Sequence, residues 1–103
     1  MERVEKLKEL LKNTPGDSFL QHALALENVK IGNDDEARIL FENILAADPG
    51  YIGSYYHLAK LHERNNENEL AIKVYEQGMA EAIKAGDKHA FGELRGAYEE
   101  LTF

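Results

Sequence analysis

The sequence predicts an all-α fold built from repeated helix–turn–helix units. Displaced by 34 residues, the chain meets itself in blocks. Leu11 falls on Leu45, Pro15-Gly16 on Pro49-Gly50, Leu24-Ala25 on Leu58-Ala59, Ala37 on Ala71, Phe41 on Tyr75, Glu42 on Glu76 and Ala46 on Ala80. Apolar residues recur at helical spacing, and each stripe stops at a cluster of Gly, Pro, Asn or Asp. No segment alternates apolar and polar residues as a half-buried strand does, so no strand is expected.

The elements follow in order. Val4, Leu7, Leu10 and Leu11 form a stripe on a first helix over 2–13, which Pro15-Gly16 ends. Asp17 or Ser18 caps a second helix, which carries Leu20, Ala23, Leu24 and Ile31 up to Gly32, a residue suited to a left-handed stop. Asn33 or Asp34 starts a third, with Ala37, Leu40, Phe41, Ile44 and Leu45 on one face. Pro49 pushes Asp48 out of helical dihedrals and breaks the chain there. A fourth helix is expected from Tyr51 to Arg64, with Tyr55, Leu58, Ala59 and His62 on one side, and Asn65-Asn66 turns the chain. A long fifth helix over 67–85 carries Leu70, Ala71, Val74, Tyr75, Gly78, Met79 and Ile83. Gly86-Asp87 stops it and caps a sixth over 87–101, striped with Phe91, Leu94, Tyr98 and Leu101.

Composition narrows the function. The length of 103 residues is that of one domain, and 44% hydrophobic with 30% charged residues is a soluble globular balance. A net charge of −7 argues against nucleic acid, whose binding needs basic residues to displace phosphate counterions. The absence of Cys excludes disulfides and thiolate chemistry. No apolar run is long enough for a membrane span, and the start lacks the apolar core of a signal peptide, so a cytoplasmic protein that does not engage membranes is expected.

Several of these residues carry a family resemblance. Leu24-Ala25, Gly32, Ala37, Phe41 and Asp48-Pro49, followed one period on by Tyr55, Leu58-Ala59, Ala71 and Tyr75, resemble the pattern of the tetratricopeptide repeat (TPR) family. That family stacks antiparallel helix pairs, A and B, into a right-handed superhelix. The resemblance implies a single domain over 1–103, with an orphan B-type helix over 2–13, repeats over 18–51 and 52–85, and a cap helix over 87–101. The second repeat departs from the pattern at Asn66, which replaces the turn Gly, at His62, where an aromatic is common, and at Ile83, where Pro is expected. A shift of 36 rather than 34 residues lays the last helix on the fourth, Phe91 on Tyr55, Leu94 on Leu58 and Tyr98 on His62.

Chemistry has little support. Ser18, Ser54 and Thr14 sit at helix starts or turns, where capping accounts for them, and no Gly-rich phosphate loop is present. His57 and His62 are five residues apart and do not share a helical face; His22 and His57 hold nearly equivalent places on successive A helices, yet surface packing accounts for both. Asp34-Asp35-Glu36 suits a helix N-terminus without calcium-loop spacing. Neither an enzyme, a cofactor nor a metal site is expected. Gly92 and Gly96 form a small-xxx-small pair, expected to pack against helix 67–85.

What remains is an interaction surface. The resemblance implies a concave groove lined by A helices, which places Phe19, His22, Leu26, Val29 and Lys30 on the first groove helix and Tyr56, His57, Lys60 and Arg64 on the second. Exposed apolar clusters mark interaction sites. The expected function is a protein-binding adaptor or scaffold that takes a peptide or helix in the groove. With Lys60 and Arg64 there, the partner is expected to be apolar with some acidic character. The alternative is a homo-oligomerisation module, a homodimer for instance, using the same apolar surface or the cap-helix face. Chaperone-binding members of the family hold a C-terminal carboxylate with Lys and Asn four residues apart; the matching residues here are His22 and Leu26, which disfavours that ligand.

Overall fold

A computed structural model describes residues 2–103. Among the described residues there are six helices and no strand: α1 (Glu2–Asn13), α2 (Ser18–Lys30), α3 (Asp34–Ala47), α4 (Gly53–Arg64), α5 (Asn68–Ala85) and α6 (Lys88–Thr102). They form two compact units, one reaching to Asp48 and the other running from Pro49 to Phe103.

In the first unit α2 packs against both α1 and α3. Asp17 caps α2, its Oδ1 accepting from the Leu20 backbone N–H at 2.9 Å, which satisfies one of the donors a helix start leaves open. Leu7 of α1, Leu24 and Ala25 of α2, and Ala37, Phe41 and Ile44 of α3 are buried. Ala25 and Ala37 lack the bulk that would hold paired helices apart. The Arg3 guanidinium of α1 meets the Glu27 carboxylate of α2 at 2.6 Å.

In the second unit α4, α5 and α6 each touch the other two. Gly78 of α5 sits where they meet: a Cβ there would lie 2.7 Å from the Tyr55 Cβ of α4 and 3.1 Å from the Leu94 Cδ1 of α6. Only glycine fits that junction without a shift of its neighbours. The Tyr55 hydroxyl donates to the Pro49 carbonyl at 2.6 Å and ties α4 to the segment before it.

The turns within the units share one construction. Gly32 takes φ +81°, and its N–H and that of Asn33 bond back to the Val29 and Asn28 carbonyls at 3.2 and 2.9 Å. This is the Schellman arrangement, which closes the open carbonyls of a helix end. Asn66 repeats it at φ 61°, with Asn66 and Glu67 bonding to the Glu63 and His62 carbonyls at 3.0 and 2.8 Å, and so does Gly86 at φ 68°. Asn66 stands in for glycine because its short polar side chain tolerates the left-handed region. Two buried polar residues brace the first two turns. Asn33 Nδ2 approaches Asn28 Oδ1 at 3.4 Å, and one period later Glu67 Oε1 lies 2.9 Å from His62 Nδ1.

Three expectations are corrected. The fourth helix begins at Gly53 rather than Tyr51, because Ser54 and Tyr55 first bond back three residues, to the Tyr51 and Ile52 carbonyls at 3.2 Å each, in a turn without a side-chain cap. The fifth helix buries Ala71, Val74, Tyr75, Gly78 and Ala82, while Leu70 and Ile83 at the margins of the stripe are exposed. Gly92 and Gly96 do not pack against α5: a Cβ on either would meet nothing within 4 Å.

Candidate functional site

Those two open glycines line a concavity of the second unit. Tyr56 and Lys60, one turn apart on α4, form one wall of a cleft of about 260 Å3, and Gly92, Glu93, Gly96, Ala97 and Glu100 of α6 form its floor and other wall. The Lys60 ammonium stands 5.7 Å from the Tyr56 ring centroid and 3.7 Å from the Glu63 carboxylate. Glu63 in turn accepts a short hydrogen bond from the Tyr75 hydroxyl of α5. Burial and the Glu63 carboxylate both push the Tyr75 phenol pKa up, so this hydroxyl stays protonated and acts as a fixed donor. The Tyr56 and His57 rings meet edge to face with centroids 5.6 Å apart. Burial lowers the His57 pKa, and the Glu93 carboxylate opposes that in part.

The remaining groove residues lie on the first unit. Phe19 is 70% exposed, His22, Leu26 and Val29 are half-buried, and Lys30 is exposed. The His22 ring meets Phe41 edge-on at 5.6 Å, so His22 belongs partly to the packing of α2 on α3. Lys30 lies 3.4 Å from Glu27, the carboxylate that also takes Arg3. Tyr56, His57 and Lys60 come together on the second unit, and Arg64 follows them, exposed, at the end of α4. A larger hollow of about 470 Å3 lies between α1 and the turn after α2. It contains none of these residues; the Asp34, Asp35 and Glu36 that line it form the acidic first turn of α3. Among the described residues no group of three or more His, Asp or Glu is placed to hold a metal ion. No helix among them is long and apolar enough to cross a membrane.

Comparison with known proteins decides the family. Over 84% of its length the chain is 40% identical to a tetratricopeptide repeat domain protein from Salinibacter ruber, covers 88% of that chain and matches its solution NMR structure with a TM-score of 0.81. The chain belongs to the tetratricopeptide repeat family. A crystal structure of a Salinibacter ruber TPR domain protein gives a TM-score of 0.79 at the same 40% identity, with 84% of this chain and 96% of that one covered. The TPR2B domain of yeast Sti1, in its complex with pHsp70, shares the fold at 17% identity, with a TM-score of 0.89 over 96% of this chain and 79% of that one. No protein-family model matches the chain, and no curated protein matches it either.

The α6 half of the cleft was missed in the sequence although its signal was present. The 36-residue shift that lays Phe91 on Tyr55 also carries Tyr56, His57, Lys60 and Arg64 onto Gly92, Glu93, Gly96 and Glu100. The groove assignment stopped at α4 because two glycines at i and i+4 suggested close packing within the chain.

Proposed function

We propose that this TPR protein is a protein-interaction module that binds a peptide or helix on its A-type helices, α2, α4 and α6. The observation that carries the reading is the open cleft between α4 and α6, where aromatic and charged side chains face a glycine floor that the chain's own packing leaves empty. Membership of a family with a member seen in complex with pHsp70 supports the same class of function. In this reading residues 18–51 and 52–85 are two repeats of one binding domain, flanked by helices over 2–13 and 87–101. Phe19, His22, Leu26, Val29 and Lys30 on the first unit and Tyr56, His57, Lys60 and Arg64 on the second are the binding positions of this reading. The module is not an enzyme and works in the cytoplasm.

The test is a selection of peptides from a displayed random library on the whole chain. Selected peptides should lose about ten-fold or more in affinity for a Leu26→Gln/Tyr56→Gln variant whose helicity and melting match the wild type. Unchanged affinity would move the surface elsewhere, and loss of the fold would show both residues to be core. Self-association is the second reading, favoured by the same open Gly92 and Gly96, since small residues let another backbone approach closely. Light scattering on the purified chain separates the two, a monomer favouring the adaptor.

A further inference from the structure

Building on that cleft as the binding surface, we infer that the α4–α6 cleft selects an extended segment bearing two basic side chains three residues apart on a backbone of small residues.

The sign comes from the charges that line the cleft, Lys60, Glu93 and Glu100. Lys60 is already compensated: its ammonium lies 3.7 Å from Glu63 and over the face of Tyr56. On the opposite wall Glu100 makes no ion pair among the described residues. Glu93 meets the exposed His89 imidazole, 3.4 Å away and one turn earlier on its own helix, and acts electrostatically on His57 across the cleft. His57, the other titratable group facing this wall, is held toward its neutral form by burial and adds no cation. The uncompensated charge in the cleft is therefore the pair of carboxylates on α6. The chain's net charge of −7 favours approach of a cation over that of an anion.

The spacing comes from helix geometry. Glu93 and Glu100 are seven residues apart, which is about 10.5 Å along a helix axis. A segment in the extended polyproline-II conformation turns once in three residues and rises about 9 Å, so basic side chains at i and i+3 lie on one face and reach one carboxylate each. Beside them Gly92 and Gly96 present bare backbone, and a Cβ on either would meet nothing within 4 Å. A main chain with small side chains can lie on that floor, while a bulky one would be lifted away from both carboxylates. This reverses the acidic character expected of the partner from Lys60 and Arg64.

The test uses three acetylated and amidated peptides of Ala and one other residue at positions i and i+3: Lys in the first, Glu in the second, Gln in the third. Each is titrated into the whole chain by NMR, following backbone amides at low salt. The Lys peptide should shift the amides of Lys60, Gly92, Glu93 and Gly96 and bind about ten-fold tighter than either other peptide. Raising salt from about 0.05 to about 0.5 M should weaken it strongly. A Glu93→Gln/Glu100→Gln variant should lose about ten-fold. Gly96→Leu, whose new side chain points into open space and improves the helix, should lose binding while its melting temperature holds or rises. Equal affinity for the three peptides, Lys-peptide shifts outside α4 and α6, or no response to the Lys peptide would each overturn the inference. Tighter binding of the Glu peptide in the cleft would overturn it while leaving the cleft standing as the binding surface. The library selection judges that broader reading independently.

Discussion

The two units use one helix-pair template and differ in what a third helix does to it. In the first, α1 packs on α2 and leaves α3 alone; in the second, α6 wedges against both members of the pair. The difference is written at one repeat position. Ile44 on α3 is large and buried, while its equivalent one period later is Gly78, the residue around which Tyr55 and Leu94 close. On the partner helices the sizes reverse, Gln21 in α2 against Tyr55 in α4. A repeat thus keeps its period while moving bulk between its two helices, and the unit that yields space on the B helix is the one that accepts a third helix.

The largest expected effect breaks the template in the first unit. Phe41 is fully buried and has no polar atom to recover, so Phe41→Ala should cost about 3–5 kcal/mol in urea unfolding. Next, Gly78→Ala sharpens the comparison. Alanine is a better helix former by about 1 kcal/mol. Even so, its Cβ at 2.7 Å from Tyr55 should produce a net loss of about 1–3 kcal/mol. The volume-reducing Ile44→Val at the equivalent site should cost only about 0.5–1.5 kcal/mol. If Gly78→Ala raised stability, the three-helix junction would be looser than described.

The turns give a smaller contrast. Gly32→Ala places a side chain at φ +81° and should cost about 1 kcal/mol by thermal melting. Asn66→Gly relieves φ 61° at the matching turn and should change stability by less than about 0.5 kcal/mol. The smallest effect is a slope with pH. Because burial lowers the His57 pKa in the folded chain, the unfolded chain binds the proton more readily. The stability that neutral His57 contributes is therefore full above its unfolded value of 6.5 and declines as pH falls from there through the folded value. His57→Gln should flatten that part of the curve; an unchanged slope in urea titrations at about pH 7.5 and about pH 5.5 would assign it to other groups.

Much of this was legible because small residues and turn residues are local signals. Gly32, Asn66 and Gly86 marked helix ends through their φ preference, and Ala25, Ala37, Ala59 and Ala71 marked close approach through the 34-residue period. The start of α4 was not legible, since Tyr51 and Ile52 continue the apolar pattern while their bonds close three-residue turns. Asn28 and His62 were not recognised as turn braces, because their burial depends on partners five residues away across a left-handed residue. The cleft was half legible: Tyr56 and Lys60 stood out by type, whereas Gly92 and Gly96 matter for the side chains they lack.

The shared turn also works as an angular gauge. Asn33 both closes the Schellman bonds of α2 and is the N-cap residue of α3, Glu67 does the same between α4 and α5, and Asp87 between α5 and α6. No spare residue separates the stop of one helix from the start of the next. A helix advances about 100° per residue, so a single residue inserted after Gly32 would rotate α3 by more than a quarter turn about its own axis. Ala37 and Phe41 would then swing off the α2 face together. Each hairpin is therefore tuned like a gear with one permitted tooth: it tolerates a change of residue at the turn far better than a change in their number.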